Sequence, residues 1–226
     1  MAKTDIIGHR GAAGSALENT LGSFKRAATI GVKTVEFDVR ATKDGQIVLC
    51  HDNSLSRISD SNQRISDLTY AELQAIPLSN GETVPLLGTV LSFARKKKLA
   101  VIVEVKMRTH LEGLCLILDD YSDLNITIAS FHHDVAALIR KLRPELPMYL
   151  AEQHHPITVL QSATAVNAQG IDLHYMLINP LVYILAKRWK LTIMLYTVNS
   201  PFIVRLLRTF YPGVRICTDH PERFVT

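Results

Sequence analysis

Cysteine, tryptophan and long apolar runs are all scarce in this chain. Three cysteines, Cys50, Cys115 and Cys217, are spread over 226 residues. Their odd number and wide spacing exclude a disulfide framework and a metal-finger pattern, and they suggest buried thiols in a reducing compartment. No stretch of about 18 uninterrupted apolar residues occurs, so no helical membrane span or stable membrane insertion is expected. The Met1–Asp5 start lacks the apolar core of a signal peptide, which makes a cytoplasmic location the expectation. Fixed-period repeats, low-complexity tracts and linker-like breaks are also missing, so one domain over residues 1–226 is expected. Charge of one sign does not dominate, since 25 Lys and Arg face 21 Asp and Glu, a net +4. That mild excess suits a small anionic substrate better than a nucleic acid, and no nucleic-acid partner is expected. The densest basic run, Arg95–Lys98, reads as the solvated last turn of a helix. Nothing in the sequence fixes an oligomeric state.

What the chain has is a recurring order of apolar strand, loop and amphipathic helix. Strands are expected at 5–8, 34–39, 100–105, 126–130, 148–151, 170–173, 192–196 and 214–217. Most are apolar without alternation, as in parallel strands buried on both faces. Helix punctuation is clear. Gly31 reads as a stop, Thr69 and Glu72 as a capping box, and Asn179-Pro180 and Ser200-Pro201 as caps before a first-turn proline. Apolar stripes are expected along Leu21, Phe24 and Ala28, along Val135, Leu138, Ile139 and Leu142, and along Ile203, Leu206, Leu207 and Phe210. Ile47–Cys50 follows the second strand across Lys43-Asp44-Gly45, too few residues for a crossover helix, so 40–50 reads as a β-hairpin excursion. A small insertion with one short helix then fills about 51–85. Eight parallel strands with helical crossovers predict a closed (β/α)8 TIM barrel, with a doubly wound open sheet as the alternative.

Four short motifs fall where such a barrel builds its site, at the C-terminal ends of strands. They are His9-Arg10-Gly11, Glu36-Phe37-Asp38, His51-Asp52 and Glu104-Val105-Lys106. Glu36 and Asp38 are two apart on a strand and so share a side, and Glu104 and Lys106 repeat that spacing. Carboxylates inside apolar strands are costly without partners, which favours a site over a core. Glu36, Asp38 and Glu104 form an all-oxygen set suited to a hard divalent cation, Mg²⁺, Ca²⁺ or Mn²⁺, rather than zinc. Arg10 and Lys106 are suited to phosphate charge, with Arg10 able to donate as a fork. His9 and His51 are suited to proton transfer near neutral pH, with Glu18 or Asp52 as the orienting group. The pairs His132-His133 and His154-His155 are not read as metal pairs, because neighbouring side chains point apart. Glu152, His174 and Tyr196 sit at strand ends, as mouth or rim residues. Asn199 and Asp219 read either as caps or as substrate contacts.

In this order and spacing the motifs resemble the glycerophosphodiester phosphodiesterase family, within the phospholipase C-like phosphodiesterases. Glu18-Asn19-Thr20, Asp44-Gly45, Ser130-Phe131, Thr197-Val198-Asn199 and Thr218-Asp219-x-Pro221 extend the resemblance over nearly the whole chain. The resemblance implies metal-dependent hydrolysis of small glycerophosphodiesters to glycerol 3-phosphate and an alcohol. It implies His9 and His51 as the acid–base pair and Glu36, Asp38 and Glu104 as ligands of one cation. Arg10, Lys106, Glu18 and Tyr196 would then lie on the substrate side. Two departures stand out. Leu17 replaces the family's usual proline before Glu-Asn-Thr, and Tyr196 replaces its frequent tryptophan before Thr-Val-Asn. Two rivals remain open, a lysophospholipase D acting on lipids and an inactive phosphodiester-binding barrel. Which histidine is the acid, and whether water or a substrate hydroxyl attacks first, also stay open.

Overall fold

A computed structural model describes residues 5–225, so the Met1–Thr4 start lies outside the described residues. Eight parallel strands form a ring: β1 (Ile6–Gly8), β2 (Thr34–Ala41), β4 (Ala100–Val105), β5 (Ile126–Ser130), β6 (Met148–Glu152), β7 (Gly170–His174), β8 (Thr192–Tyr196) and β9 (Arg215–Thr218). β1 pairs in parallel with both β2 and β9, which closes the sheet and excludes the open doubly wound alternative. The ninth strand, β3 (Ile47–Leu49), pairs antiparallel with the end of β2 from Val39 to Ala41. Its hairpin turns at Gly45, whose φ of 79° favours glycine. The expected strands and the hairpin excursion are all present, with ends moved by a residue or two.

Alternation along each strand separates two environments. On β2, Val35, Phe37 and Val39 face the helices and join a core that includes Val101, Val103, Ile128, Leu150, Ile171 and Leu195. The opposite parity points into the barrel, where Ile7, Ile102, Ala129, Tyr149, Met194 and Cys217 fill the middle. The floor is closed by Arg215. Its guanidinium donates to Asp5 Oδ2 at 2.9 and 2.6 Å, to the Tyr149 hydroxyl at 3.0 Å and to Thr34 Oγ1 at 3.4 Å. Cys50, Cys115 and Cys217 are free and buried.

The outer helices are α1 (Leu21–Ile30), α3 (Leu87–Lys97), α4 (Leu111–Asp119), α5 (His133–Leu142), α6 (Pro156–Ala165), α7 (Pro180–Arg188) and α8 (Pro201–Phe210). None is long and apolar enough to cross a membrane. Thr20 caps α1 by accepting from Ser23 N, and Gly31 ends it at φ 96°. Phe24 of α1 meets Phe37 of β2 edge-on at 5.6 Å, locking helix to strand. Asn179 caps α7 by accepting from Val182 N, whereas Ser200 precedes Pro201 without a side-chain cap bond. Arg95, Lys96 and Lys97 occupy the last turn of α3, where cations complement the dipole.

Three predicted stripes are rotated from the buried faces. α1 buries Ser23, Phe24 and Ala27; α5 buries Val135, Ala136 and Ile139 and leaves Leu138 exposed; α8 buries Val204 and Leu207 and leaves Phe202, Leu206 and Phe210 outside. The barrel wall is convex and covers only a narrow line on each helix, so an apolar arc wider than that line reaches solvent.

The segment between β3 and α3 builds its own small core. Val48, Leu55, Ile58, Ile65, Leu68, Leu73 and Val84 cluster around α2 (Tyr70–Gln74), which opens on the predicted capping box of Thr69 and Glu72. This second cluster holds the loop bearing His51 against the barrel mouth.

Candidate active site

The C-terminal ends of the strands enclose a cleft of about 490 Å³. His9, Arg10, Glu36, His51, Glu104, Lys106 and Tyr196 line it together with Phe131, His132, Asp172 and His174. A second cleft of about 420 Å³ lies between α1 and α3 at the opposite end; no carboxylate lines it. The chemistry belongs to the first.

β2 and β4 supply the acids. Glu36, Asp38 and Glu104 each place a carboxylate oxygen within 4.8 Å of the other two. All three are buried; Glu36 Oε1 has no partner, and Asp38 Oδ1 and Glu104 Oε1 share a single ammonium, that of Lys106. Burial, with Asp38 and Glu104 nearby, pushes the Glu36 carboxyl well above its ordinary range. Burial and Asp38 push Glu104 up to about 7. For Asp38, burial also acts upward, but Arg10 and Lys106 outweigh it and hold the group below its ordinary value. Three mutually repelling buried carboxylates, one of them with an unpartnered oxygen, are what a hard divalent cation would satisfy. The residues present therefore fit such an ion.

Two cations flank the trio. Arg10, held at φ 48°, reaches Asp38 Oδ2 with Nε at 3.1 Å and donates from its terminal nitrogen to Glu18 Oε1 at 2.9 Å. Lys106 Nζ lies 2.5 Å from Glu104 Oε1 and 3.3 Å from Asp38 Oδ1, over the Phe131 ring at 5.2 Å. Burial opposes its charge, but Glu104 and Asp38 prevail and raise its pKa.

The two histidines are held alike. His9 Nδ1 lies 2.6 Å from Asp219 Oδ1, and His51 Nδ1 lies 2.7 Å from Asp52 Oδ1. A carboxylate on Nδ1 places the proton there and turns Nε2 to the cleft. His9 Nε2 is 3.8 Å from Glu36 Oε2. Burial lowers the pKa of His51, only partly opposed by Asp38.

The orienting groups differ in part from the sequence expectation. Asp52 orients His51. Glu18 touches neither histidine and instead bridges Arg10 to Arg57, while Arg57 Nε also binds Asp52 Oδ2 at 2.6 Å. An ion chain thus runs from His51 through Asp52, Arg57, Glu18 and Arg10 to Asp38. His9 is oriented by Asp219, which caps no helix. Asn199 donates to Asp219 Oδ2 at 2.7 Å and accepts from Asp219 N at 2.9 Å, which fixes the carboxylate.

Tyr196 forms the aromatic wall with Phe131 at 5.7 Å and His174 at 5.9 Å, edge-on in both cases. Its hydroxyl donates to the Glu152 carbonyl at 3.1 Å, while the Glu152 carboxylate turns to Gln153 N and His154 N. His174 and Tyr196 therefore line the mouth and the Glu152 side chain does not. His132 also lines the cleft, beside Arg108. Asp172, on β7, was not singled out from the sequence. Its Oδ1 is buried without a partner, and burial and Glu104 push its carboxyl well above the ordinary range. A lone carboxylate in an apolar strand was its signal, the same one that marked Glu104.

With this geometry in place, the model of the glycerophosphoryl diester phosphodiesterase family matches residues 9–223. The chain belongs to that family. A glycerophosphodiester phosphodiesterase of Caldanaerobacter subterraneus is 27% identical over 99% of this chain and 97% of its own. A lysophospholipase D of Rattus norvegicus is 31% identical over 54% of this chain and 43% of its own. Among solved structures, an Oleispira antarctica phosphodiesterase in complex with sn-glycerol-3-phosphate superposes with a TM-score of 0.92 at 24% identity, covering 97% of this chain and 94% of that one. This member of the family keeps the fold along its length.

Proposed function

We propose that this family member hydrolyses glycerophosphodiesters to glycerol 3-phosphate and an alcohol, with one divalent cation, Mg²⁺ or Ca²⁺ before Mn²⁺. One observation carries the reading: three buried carboxylates converge within 4.8 Å at a cleft lined by two histidines whose Nδ1 atoms are each held by a carboxylate. Glu36, Asp38 and Glu104 would hold the cation, which when bound neutralises phosphate charge and acts as a Lewis acid. Lys106 and Arg10 present positive charge to the remaining phosphate oxygens. Nε2 of one histidine takes the proton of the attacking hydroxyl, and Nε2 of the other returns a proton to the leaving alkoxide. Asp219 and Asp52 accept from Nδ1–H of the two rings, which leaves Nε2 of the base free and supports the acid as an imidazolium with a proton on Nε2. Tyr196, Phe131 and His174 make the wall for the alcohol.

The test is release of glycerol 3-phosphate from glycerophosphocholine and glycerophosphoethanolamine with Mg²⁺, Ca²⁺, Mn²⁺ or chelator. Wild type is expected to turn over only with metal, and His51→Ala to lose about 10³-fold in kcat, within the range for a general acid–base group. A wild type that binds these diesters under every metal yet never turns over is instead a phosphodiester-binding barrel. A second reading, turnover of lysophospholipids, is favoured by the exposed Met176 and Phe202 beside the mouth. Faster release from a lysophospholipid than from either soluble diester would select it.

A further inference from the structure

Charge is distributed very unevenly along this chain. Residues 173–218 hold six of its 25 Lys and Arg and none of its 21 Asp and Glu, so they carry +6 and all the rest carries −2. One of the six, Arg215, is the floor cation. The other five, Lys187, Arg188, Lys190, Arg205 and Arg208, are exposed, and among the described residues none pairs with a carboxylate.

The same sector carries exposed apolar side chains on α7, α8 and the turn before α7. Met176 is 73% exposed, Leu181 59%, Ile184 61%, and Phe202 and Phe210 66% each. The two helices form one wall, because Tyr183 of α7 lies 5.4 Å from the Tyr211 ring and donates its hydroxyl to the Pro212 carbonyl at 2.8 Å. Barrel helices begin where strands end, so Met176, Leu181 and Phe202 stand at the mouth edge, next to the cleft-lining His174 and Tyr196. Along α8, apolar and basic groups interleave as Phe202, Arg205, Leu206, Arg208 and Phe210.

We propose that the α7–α8 wall is a docking face for an anionic lipid surface, with the catalytic mouth at its edge. Exposed apolar groups interleaved with unpaired cations have two needs, apolar contact and negative charge. An interface of acyl chains and anionic headgroups meets both over a convex wall, as it does for amphipathic helices rich in Lys, Arg and Phe. A second copy of the chain on a two-fold axis would set five unpaired cations against five. The docking is reversible and only side-chain deep. Naming the nearby cleft catalytic rests on the function proposed above, but the docking does not need turnover, so failure of one and failure of the other are separate results.

The experiment is co-sedimentation of the full chain with vesicles of phosphatidylcholine alone and of phosphatidylcholine mixed with phosphatidylglycerol, at low and high salt. Binding is expected to the mixed vesicles only, and to weaken with salt. Arg205→Gln with Arg208→Gln should lower the partition coefficient about thirty-fold, at about fivefold for each surface cation. Phe202→Ser should lower it about tenfold. Each replaces an exposed side chain, so thermal unfolding and turnover of soluble diesters should match wild type. Equal binding to both vesicles, or binding to neither, overturns the proposal. So does a self-association, seen by sedimentation velocity, that Phe202→Ser abolishes while vesicle binding persists.

Discussion

The floor and the mouth of the barrel both bury charge, but they treat it in opposite ways. At the floor, every nitrogen of the Arg215 guanidinium has a partner among Asp5, Tyr149 and Thr34. At the mouth, Glu36 and Asp172 each leave a buried oxygen unpartnered, and Asp38 Oδ1 and Glu104 Oε1 have one ammonium, Lys106, between them. A satisfied buried ion is a structural element, whereas an unsatisfied group persists only where something else requires it. The difference marks one end of the same strands for stability and the other for chemistry.

Breaking the floor should cost stability and leave catalysis alone. Arg215→Met keeps an apolar stem but removes the guanidinium from Asp5 and the Tyr149 hydroxyl. Asp5 is 41% exposed at its side chain and can rehydrate, so the loss belongs at the low end for a broken buried pair, about 3 kcal/mol. That lowers Tm by roughly 6–12 °C, with kcat/KM of the soluble diester within about twofold of wild type. A large drop in kcat at unchanged KM would mean that floor and mouth are not separable.

The reverse break is Asp219→Asn. The amide keeps the volume and the contact with Asn199 but no longer holds the His9 tautomer by charge. kcat should fall about 100-fold, the scale of an orienting carboxylate behind a working imidazole. Tm should stay within about 3 °C, and Asp219→Glu should restore part of the rate. A merely structural Asp219 would move Tm and leave the pH–rate profile in place; an orienting one displaces that profile.

The mouth was more legible in the sequence than its supports. Glu36, Asp38, Glu104 and Lys106 could be assigned to one side because strand periodicity is two and needs only local spacing. The hairpin was legible because Gly45 sits where a positive φ is needed. By contrast, Asp219 meets His9 across 210 residues, and no local pattern joins them. Arg57 lies in an insertion without periodicity, so its role between Asp52 and Glu18 appears only once the loop is packed. The stripe on α8 was legible as apolar, but Leu206 and Phe210 of it are exposed. Periodicity gives a helix a face; it does not say what lies against that face.

The contrast between the two ends can be sharpened by titration of metal-free protein. A buried carboxyl whose pKa is raised on folding retains its proton in the native state while the unfolded chain has already released it. Its stabilising contribution is therefore complete below the unfolded value and is lost as pH rises through the folded one. For Glu104 that window runs from about 4.5 to about 7, and Glu36 and Asp172 act in the same direction. In chelator, stability should fall by about 2 kcal/mol between pH 5 and 7, seen as a drop of roughly 5 °C in Tm. Saturating Mg²⁺ or Ca²⁺ should cancel that fall, because the ion competes with protons for the same oxygens and binds better as they leave. Glu104→Gln should flatten the chelator curve. The curve of Arg215→Met should keep the wild-type slope at a lower Tm throughout. If the two variants gave the same slope, the acids at the mouth would not be the source of the pH dependence. The convergence of the three carboxylates would then need an explanation other than cation binding.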